Sequence, residues 1–161
     1  MIWQCRERLC RLLGGTSPEH VVFTLNTSDA LNLAIRGLPL DRLMQGKPTH
    51  VVTTAMDHNS VLRPLNALRR CGLEWTCVEG DPATGIVDPD DVLAAVRDDT
   101  VMVAAVHASN VTGTLQPIGE IGRRCRERGV LLLVDAAQSG GHVPVDVEAN
   151  CIDLLAFPGH K

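Results

Sequence analysis

The chain predicts an α/β domain of three layers, a mostly parallel sheet with helices on both faces. Three observations lead there. Short apolar runs alternate with longer amphipathic ones along the whole length, which is the strand–helix repeat of a parallel sheet. Thr100–Val106 (TVMVAAV) and the run beginning at Val130 (VLLLVD) are apolar almost without interruption, as strands buried on both faces are. Five loops are dense in groups that donate, accept or titrate: Asn26–Asp29, Asp57–Ser60, His107–Gln116, Asp135–Ser139 and Pro158–Lys161. In an open parallel sheet, ligands bind outside the carboxyl ends of the strands, where such loops gather.

In chain order, Ile2–Leu13 reads as a helix with Ile2, Leu9, Leu12 and Leu13 near one face, stopped by Gly14-Gly15. His20–Leu25 (HVVFTL) is a predicted strand, and Ala30–Arg36 a short apolar helix ended by Gly37. His50–Thr54 is the next strand, followed by a helix capped at Asn59 or Ser60 and running to about Cys71. That cap puts Pro64 close to the first turn, where a missing N–H matters least. Gly72 ends the helix, Leu73–Val78 is a strand, and Glu79–Val87 is a turn-rich connector. Asp88 as N-cap, Pro89 behind it and the acids Asp90 and Asp91 mark another helix start. Thr100–Val106 is a strand, His107–Pro117 a polar loop, and Ile118–Arg128 a helix ended by Gly129. The Val130 strand and the apolar segment Ile152–Phe157 close the series.

A chain of 161 residues with 45% apolar composition can bury the core of one domain, and no repeat, low-complexity tract or linker divides it. A net charge of −4 argues against a nucleic-acid partner, and no basic run suggests a membrane surface. No apolar stretch reaches the ~20 residues of a membrane span, and the charged, amphipathic start does not read as a signal peptide. The six cysteines contain no CxxC pair, which speaks against zinc, for reduced thiols, and for a cytoplasmic protein. No GxGxxG follows the first predicted strand, so a dinucleotide site is a poor reading.

What chemistry remains lies at the strand ends. Asp135 closes a buried run, and a carboxylate there can hold a protonated ring nitrogen. Lys161 follows the next apolar segment and can reach the same crevice. Such an acid beside an amine is the minimum equipment of pyridoxal phosphate (PLP) chemistry. VDAAQSGGHVPVDV together with LLAFPGHK, preceded in order by TLNTSDALNLAIRG, DHNSVLRP and HASNVTGTLQPI, resembles the class V aminotransferase and cysteine desulfurase family, PLP enzymes of fold type I.

The resemblance implies roles residue by residue. Lys161 corresponds to the Schiff-base lysine that also moves the substrate's α-proton. Asp135 pairs with the ring nitrogen, His58 stacks on the ring and takes part in proton movement, Gln138 bonds the phenolic oxygen, and Asn110 lies near that oxygen and the substrate. Thr27 and Ser28, at a helix mouth, hold the phosphate, with His160 as a further donor. Pro158 stands where many members place a Ser or Thr on the phosphate, which implies a cup one contact weaker or differently filled.

Residues 1–161 then read as a partial PLP-binding large domain, with the C-terminal small domain absent. That part carries the arginine for the substrate carboxylate and the sulfur-accepting cysteine, and none of the six cysteines lies at the nucleophile's place. The implied activity is that of a cysteine desulfurase or selenocysteine lyase acting on cysteine or a similar small amino acid. The alternatives are a class V aminotransferase, another β-eliminating lyase, or a non-catalytic truncated PLP-binding fragment. A homodimer in the full-length form and a sulfur-acceptor protein are the partners implied; no metal, nucleic acid or membrane is. Alone, these residues are expected to aggregate and to release no sulfide.

Overall fold

The computed structural model describes residues 1–160. Its elements are α1 (Ile2–Leu12), α2 (Thr27–Met44), β1 (His50–Thr54), α3 (Asn59–Leu68), β2 (Glu74–Val78), α4 (Pro89–Ala94), β3 (Thr100–Val106), α5 (Ile118–Glu127), β4 (Leu131–Asp135) and β5 (Leu154–Ala156), with short 3₁₀ turns at Pro18–His20 and Arg69–Cys71. The five strands form one sheet in the order β2-β1-β3-β4-β5, and every pair is parallel.

Side chains one apart along a strand point to opposite faces, and the core divides accordingly. Val52, Val103, Ala105, Leu132 and Val134 pack with Val92 of α4 and Ile118, Ile121 and Cys125 of α5. Val51, Met102, Ala104 and Leu133 pack on the other face with Leu31 and Ile35 of α2 and Val61, Leu65 and Leu68 of α3. Two buried faces explain why β3 and β4 are apolar almost without alternation and why β1 is buried along its whole length. Buried His50, at the far end of β1, lies 2.8 Å from the Thr100 hydroxyl and 2.9 Å from that of Thr76. Burial pushes its pKa down, and the two threonines satisfy a neutral ring in the core.

Four expectations are corrected. His20–Leu25 contributes no strand to the sheet. The segment lines a groove beside Ile152, Leu155 and Phe157, but Val22, Phe23 and Leu25 stay exposed and the run forms no ladder with the edge strand β5. The predicted helix Ala30–Arg36 is the middle of α2, which passes through Gly37 and Pro39 to Met44. Leu31, Ile35 and Pro39 recur every fourth residue and are its buried stripe, so packing on the sheet outweighs a propensity loss of about 1 kcal/mol at the glycine. The cap of α3 is His58, not Asn59 or Ser60; Pro64 therefore lies within the helix, buried, and leaves the Ser60 carbonyl without a helical donor. On α1, Ile2 and Leu12 face solvent and only Cys10 is buried.

One close approach sets the spacing of α5 against the chain that enters β5. A Cβ built on Gly122 meets the Asn150 carbonyl oxygen and comes within 3.1 Å of that of Cys151, whose own φ is +55°. Gly122→Ala is expected to cost about 1–3 kcal/mol, because backbone rather than a flexible tip must move. Gly37→Ala, with nothing within 4 Å of the added carbon, is expected to add about 0.5–1 kcal/mol by helix propensity. Urea midpoints at equal m-values measure both, and equal midpoints for the two variants would contradict the close packing.

Candidate active site

Strand order reverses at β1, which has β2 on one side and β3 on the other, so loops diverge there at the carboxyl edge. The register keeps that edge level: Val106 pairs with Asp135, and Asp135 with Ala156. Outside it lies a cleft of about 300 Å³. Asn26, Thr27 and Ser28 form one wall, with His58 and Ser60 from the start of α3 and Ala108 and Asn110 from the loop after β3. The remaining lining comes from Asp135, Ala137 and Gln138 after β4 and from Pro158 and His160 after β5. Thr27, Ser28, His58, Asn110, Asp135, Gln138 and His160, predicted from sequence, thus share one cavity. Lys161 lies outside the described residues.

Each is held by local geometry. Asn26 caps α2 by accepting the Asp29 N–H on its side chain, at 2.9 Å. Thr27 and Ser28 are therefore the first two helical residues rather than caps, and their N–H groups belong to the turn that has no intrahelical acceptor. An anion is favoured at such a mouth. His58 caps α3 through its ring: Nδ1 accepts the Ser60 N–H at 3.2 Å and lies 2.9 Å from the Ser60 hydroxyl. Ser60 Oγ is in turn 2.7 Å from Ser28 Oγ, which ties the first turns of α2 and α3 together.

Asp135 is buried at the end of β4, and its Oδ1 accepts the Ala137 N–H at 2.9 Å. The turn behind it is clamped by His107, whose Nδ1 lies 2.8 Å from Ser139 Oγ and whose N–H donates to the Asp135 carbonyl at 2.9 Å. Burial lowers the His107 pKa, so a neutral ring serves as a strut. Beyond it the chain turns back on itself. Ser109 N–H donates to Thr114 O, Gln116 N–H to His107 O, and Gly113 takes φ +73°, which leaves Asn110 near the tip. Buried Gln116 accepts the Val87 N–H and donates to Gly85 O, at 2.9 and 2.8 Å. The cleft loop is thereby fastened to the 79–87 connector.

Reading the sequence did not single out Asp57. It is buried at the end of β1, and its Oδ2 accepts from Thr53 Oγ1, Thr54 N–H and Thr54 Oγ1 at 2.7–2.9 Å. Its Oδ1 has no partner among the described residues. Burial raises the carboxyl from 3.8 to about 6, helped by the Asp135 charge and opposed by the three hydrogen bonds. The available signal was the paired threonines three and four residues earlier, which supply donors to one carboxylate at a strand end.

The chain is thus an open parallel α/β domain with a polar, carboxylate-floored cleft at its topological switch point. It belongs to the aminotransferase class-V family, whose model matches residues 1–161. It is 41% identical to the cysteine desulfurase IscS of Vibrio atlanticus over 156 residues, covering 97% of this chain and 38% of that protein. It is 36% identical to the cysteine desulfurase IscS of Dictyoglomus turgidum over 160 residues, covering 99% and 40%. A solved structure of SspA in complex with cysteine superposes with a TM-score of 0.92 at 34% identity, over 99% of this chain and 45% of that one. DndA from Streptomyces lividans gives 0.90 at 32% identity, over 99% and 44%. The chain therefore spans about two fifths of the length of the curated relatives it matches.

Asp57 supplies a test by pH. Its folded pKa lies above the unfolded value, so the folded state holds the extra proton and stability falls as pH rises from about 4 through about 6. Asp57→Asn removes that slope. The stability of the variant relative to wild type is expected to grow by up to about 3 kcal/mol across this window. Urea titrations at several pH values measure it, and parallel profiles for the two proteins would rule out a raised Asp57.

Proposed function

We propose that this chain carries the cofactor-holding part of a pyridoxal 5'-phosphate-dependent cysteine desulfurase, which takes sulfur from cysteine. The observation that carries the reading is the gathering of Asp135, His58, Asn110, Gln138, Thr27, Ser28 and His160 around one cleft. The names of the relatives, and the cysteine complex of SspA, favour this substrate over others of the family.

The donor set fits the cofactor. A buried carboxylate at the floor suits a cationic ring nitrogen, a helix mouth with two hydroxyl residues suits a phosphate, and an imidazole and two amides lie between them. Proline at 158 adds neither hydroxyl nor N–H to the phosphate end, which leaves Thr27, Ser28, His160 and the α2 N-terminus to hold it. When bound, pyridoxal phosphate supplies the electron sink for charge left on a substrate's α-carbon. Asp135 would hold the ring nitrogen protonated, and its burial would strengthen that pairing. His58 would lie against the ring. Gln138 and Asn110 would orient the phenolic edge and the incoming amino acid, and Lys161 would anchor the cofactor and move the α-proton. None of the six cysteines lines the cleft.

A homodimer with the cleft near the interface, a sulfur-acceptor protein and a cytoplasmic location complete the proposal. The described cysteines are all unpaired, as is usual in a reducing compartment.

Two outcomes are expected. Borohydride treatment of the full-length holoenzyme fixes the cofactor on Lys161, read by peptide mapping; an adduct on Lys47 would defeat the assignment. Asp135→Asn keeps the cofactor bound yet slows exchange of the substrate's α-hydrogen by roughly 10- to 1000-fold, the loss of a close opposite charge at the ring nitrogen. Exchange at the wild-type rate would remove Asp135 from that role.

A further inference from the structure

We propose that Ser60 is a positioning residue that couples the hydroxyl of Ser28, at the phosphate end of the cleft, to the ring of His58. The directions of the hydrogen bonds follow from elimination. Ser60 N–H can only donate, and it points at His58 Nδ1 at 3.2 Å, so that nitrogen bears a lone pair and the proton of the neutral ring sits on Nε2. The Ser60 hydroxyl, 2.9 Å from the same nitrogen, can then only donate to it. A hydroxyl has one hydrogen. The 2.7 Å contact between Ser28 and Ser60 is therefore donated by Ser28, and the relay runs Ser28 to Ser60 to His58.

In this arrangement Ser28 has already spent its hydrogen and can only accept toward the cleft. A phosphate offers no hydrogen to a serine when fully ionised and needs a donor. If Ser28 turns its hydrogen to the anion, its oxygen becomes the acceptor for Ser60, and Ser60 must release His58. Nδ1 then keeps only the longer backbone N–H. Phosphate binding and the hydroxyl bond to His58 thus compete for the same chain of hydrogens. Occupancy at one end of the cleft is felt at the imidazole placed to cover its middle. This rests on the reading of Ser28 as a phosphate contact, but the relay stands on the three distances alone.

Nearby charges do not mimic the effect. Arg36 and Arg63 line the groove beside His58, and Asp135 and His160 share the cleft with it. All remain in place when only the Ser60 hydroxyl is removed, so any purely coulombic influence of an anion on His58 persists in Ser60→Ala.

The experiment uses the full-length protein freed of cofactor, with inorganic phosphate as the probe, at a pH well above the imidazole range. The ¹⁵N resonances of the His58 ring are followed. Without phosphate, the wild type is expected to show an Nε2–H tautomer with Nδ1 shifted as a strong acceptor. Ser60→Ala moves Nδ1 toward a weakly bonded nitrogen, and Ser60→Thr restores it. Saturating phosphate moves the wild-type resonance the same way and leaves that of Ser60→Ala nearly still.

Affinity gives a second sign. Ser60→Ala frees the Ser28 hydrogen and is expected to bind phosphate up to about fivefold more tightly, the worth of one neutral hydrogen bond, whereas Ser28→Ala binds it more weakly. Weaker binding by Ser60→Ala would make Ser60 a direct ligand and overturn the relay. A wild-type Nδ1 signal indifferent to Ser60→Ala would do so as well. Phosphate that binds and weakens with Ser28→Ala, yet leaves the His58 resonance unmoved, sinks the coupling while sparing the cup. No saturable binding in any variant sinks the cup and the coupling together.

Discussion

The parallel ladder between β3, β4 and β5 is the constraint on which the rest depends. It places Val106, Asp135 and Ala156 side by side, so three strands stop in line and their loops emerge together. A one-residue slip in such a ladder would turn every side chain to the opposite face. Leu132 and Val134 would leave the α5 side and Leu133 the α2 side, and two buried clusters would be disordered at once. The position of the Asp135 carboxylate is thereby enforced by leucines and valines that lie outside the cleft.

Burial of acids at this edge carries a cost that the fold answers in two ways. Asp135 keeps a backbone donor and lines an open cleft where a cation can meet it. Asp57, also buried, crowds three donors onto one oxygen and still holds its proton to about 6. Two buried carboxylates at one sheet edge, one lining the cleft and one outside it, are thus separated by environment rather than by residue type.

Much of this was legible in the residues themselves. β1 and β3 could be bounded to the residue because short runs rich in valine and threonine with polar stops have few other readings. The cap at Asp88 could be read because proline and two acids follow it. All the described candidate residues fall in one cleft because strand ends in a parallel sheet must converge. What escaped was whatever depends on partners distant in sequence. Val22 and Phe23 have strand-like residues but no ladder, and Gly37 stops a helix only where no sheet face holds it. The Ser28–Ser60 contact spans 32 positions. His58 as a cap was missed for a different reason: imidazole is a rare cap, and local propensity favours the asparagine and serine beside it.

The Gln116 amide has a consequence for how the chain can change over evolution. With its carbonyl on Val87 N–H and its amino group on Gly85 O, it imitates a peptide unit of a neighbouring strand and closes the base of the connector. Beyond that base the tip folds largely on its own bonds, with Asp81 accepting from Ala83 and Thr84 and donating its N–H to Ile86, while Thr114 of the cleft loop donates its hydroxyl to Thr84 O at 2.9 Å. These ties to the cleft loop reach only backbone groups of the connector, Thr84 O, Gly85 O and Val87 N–H, and so constrain its side chains little. Insertions between Asp81 and Thr84 can drift or acquire new surface roles, while Gln116 itself, whose two ends need opposite polarity, has no natural isostere to drift to.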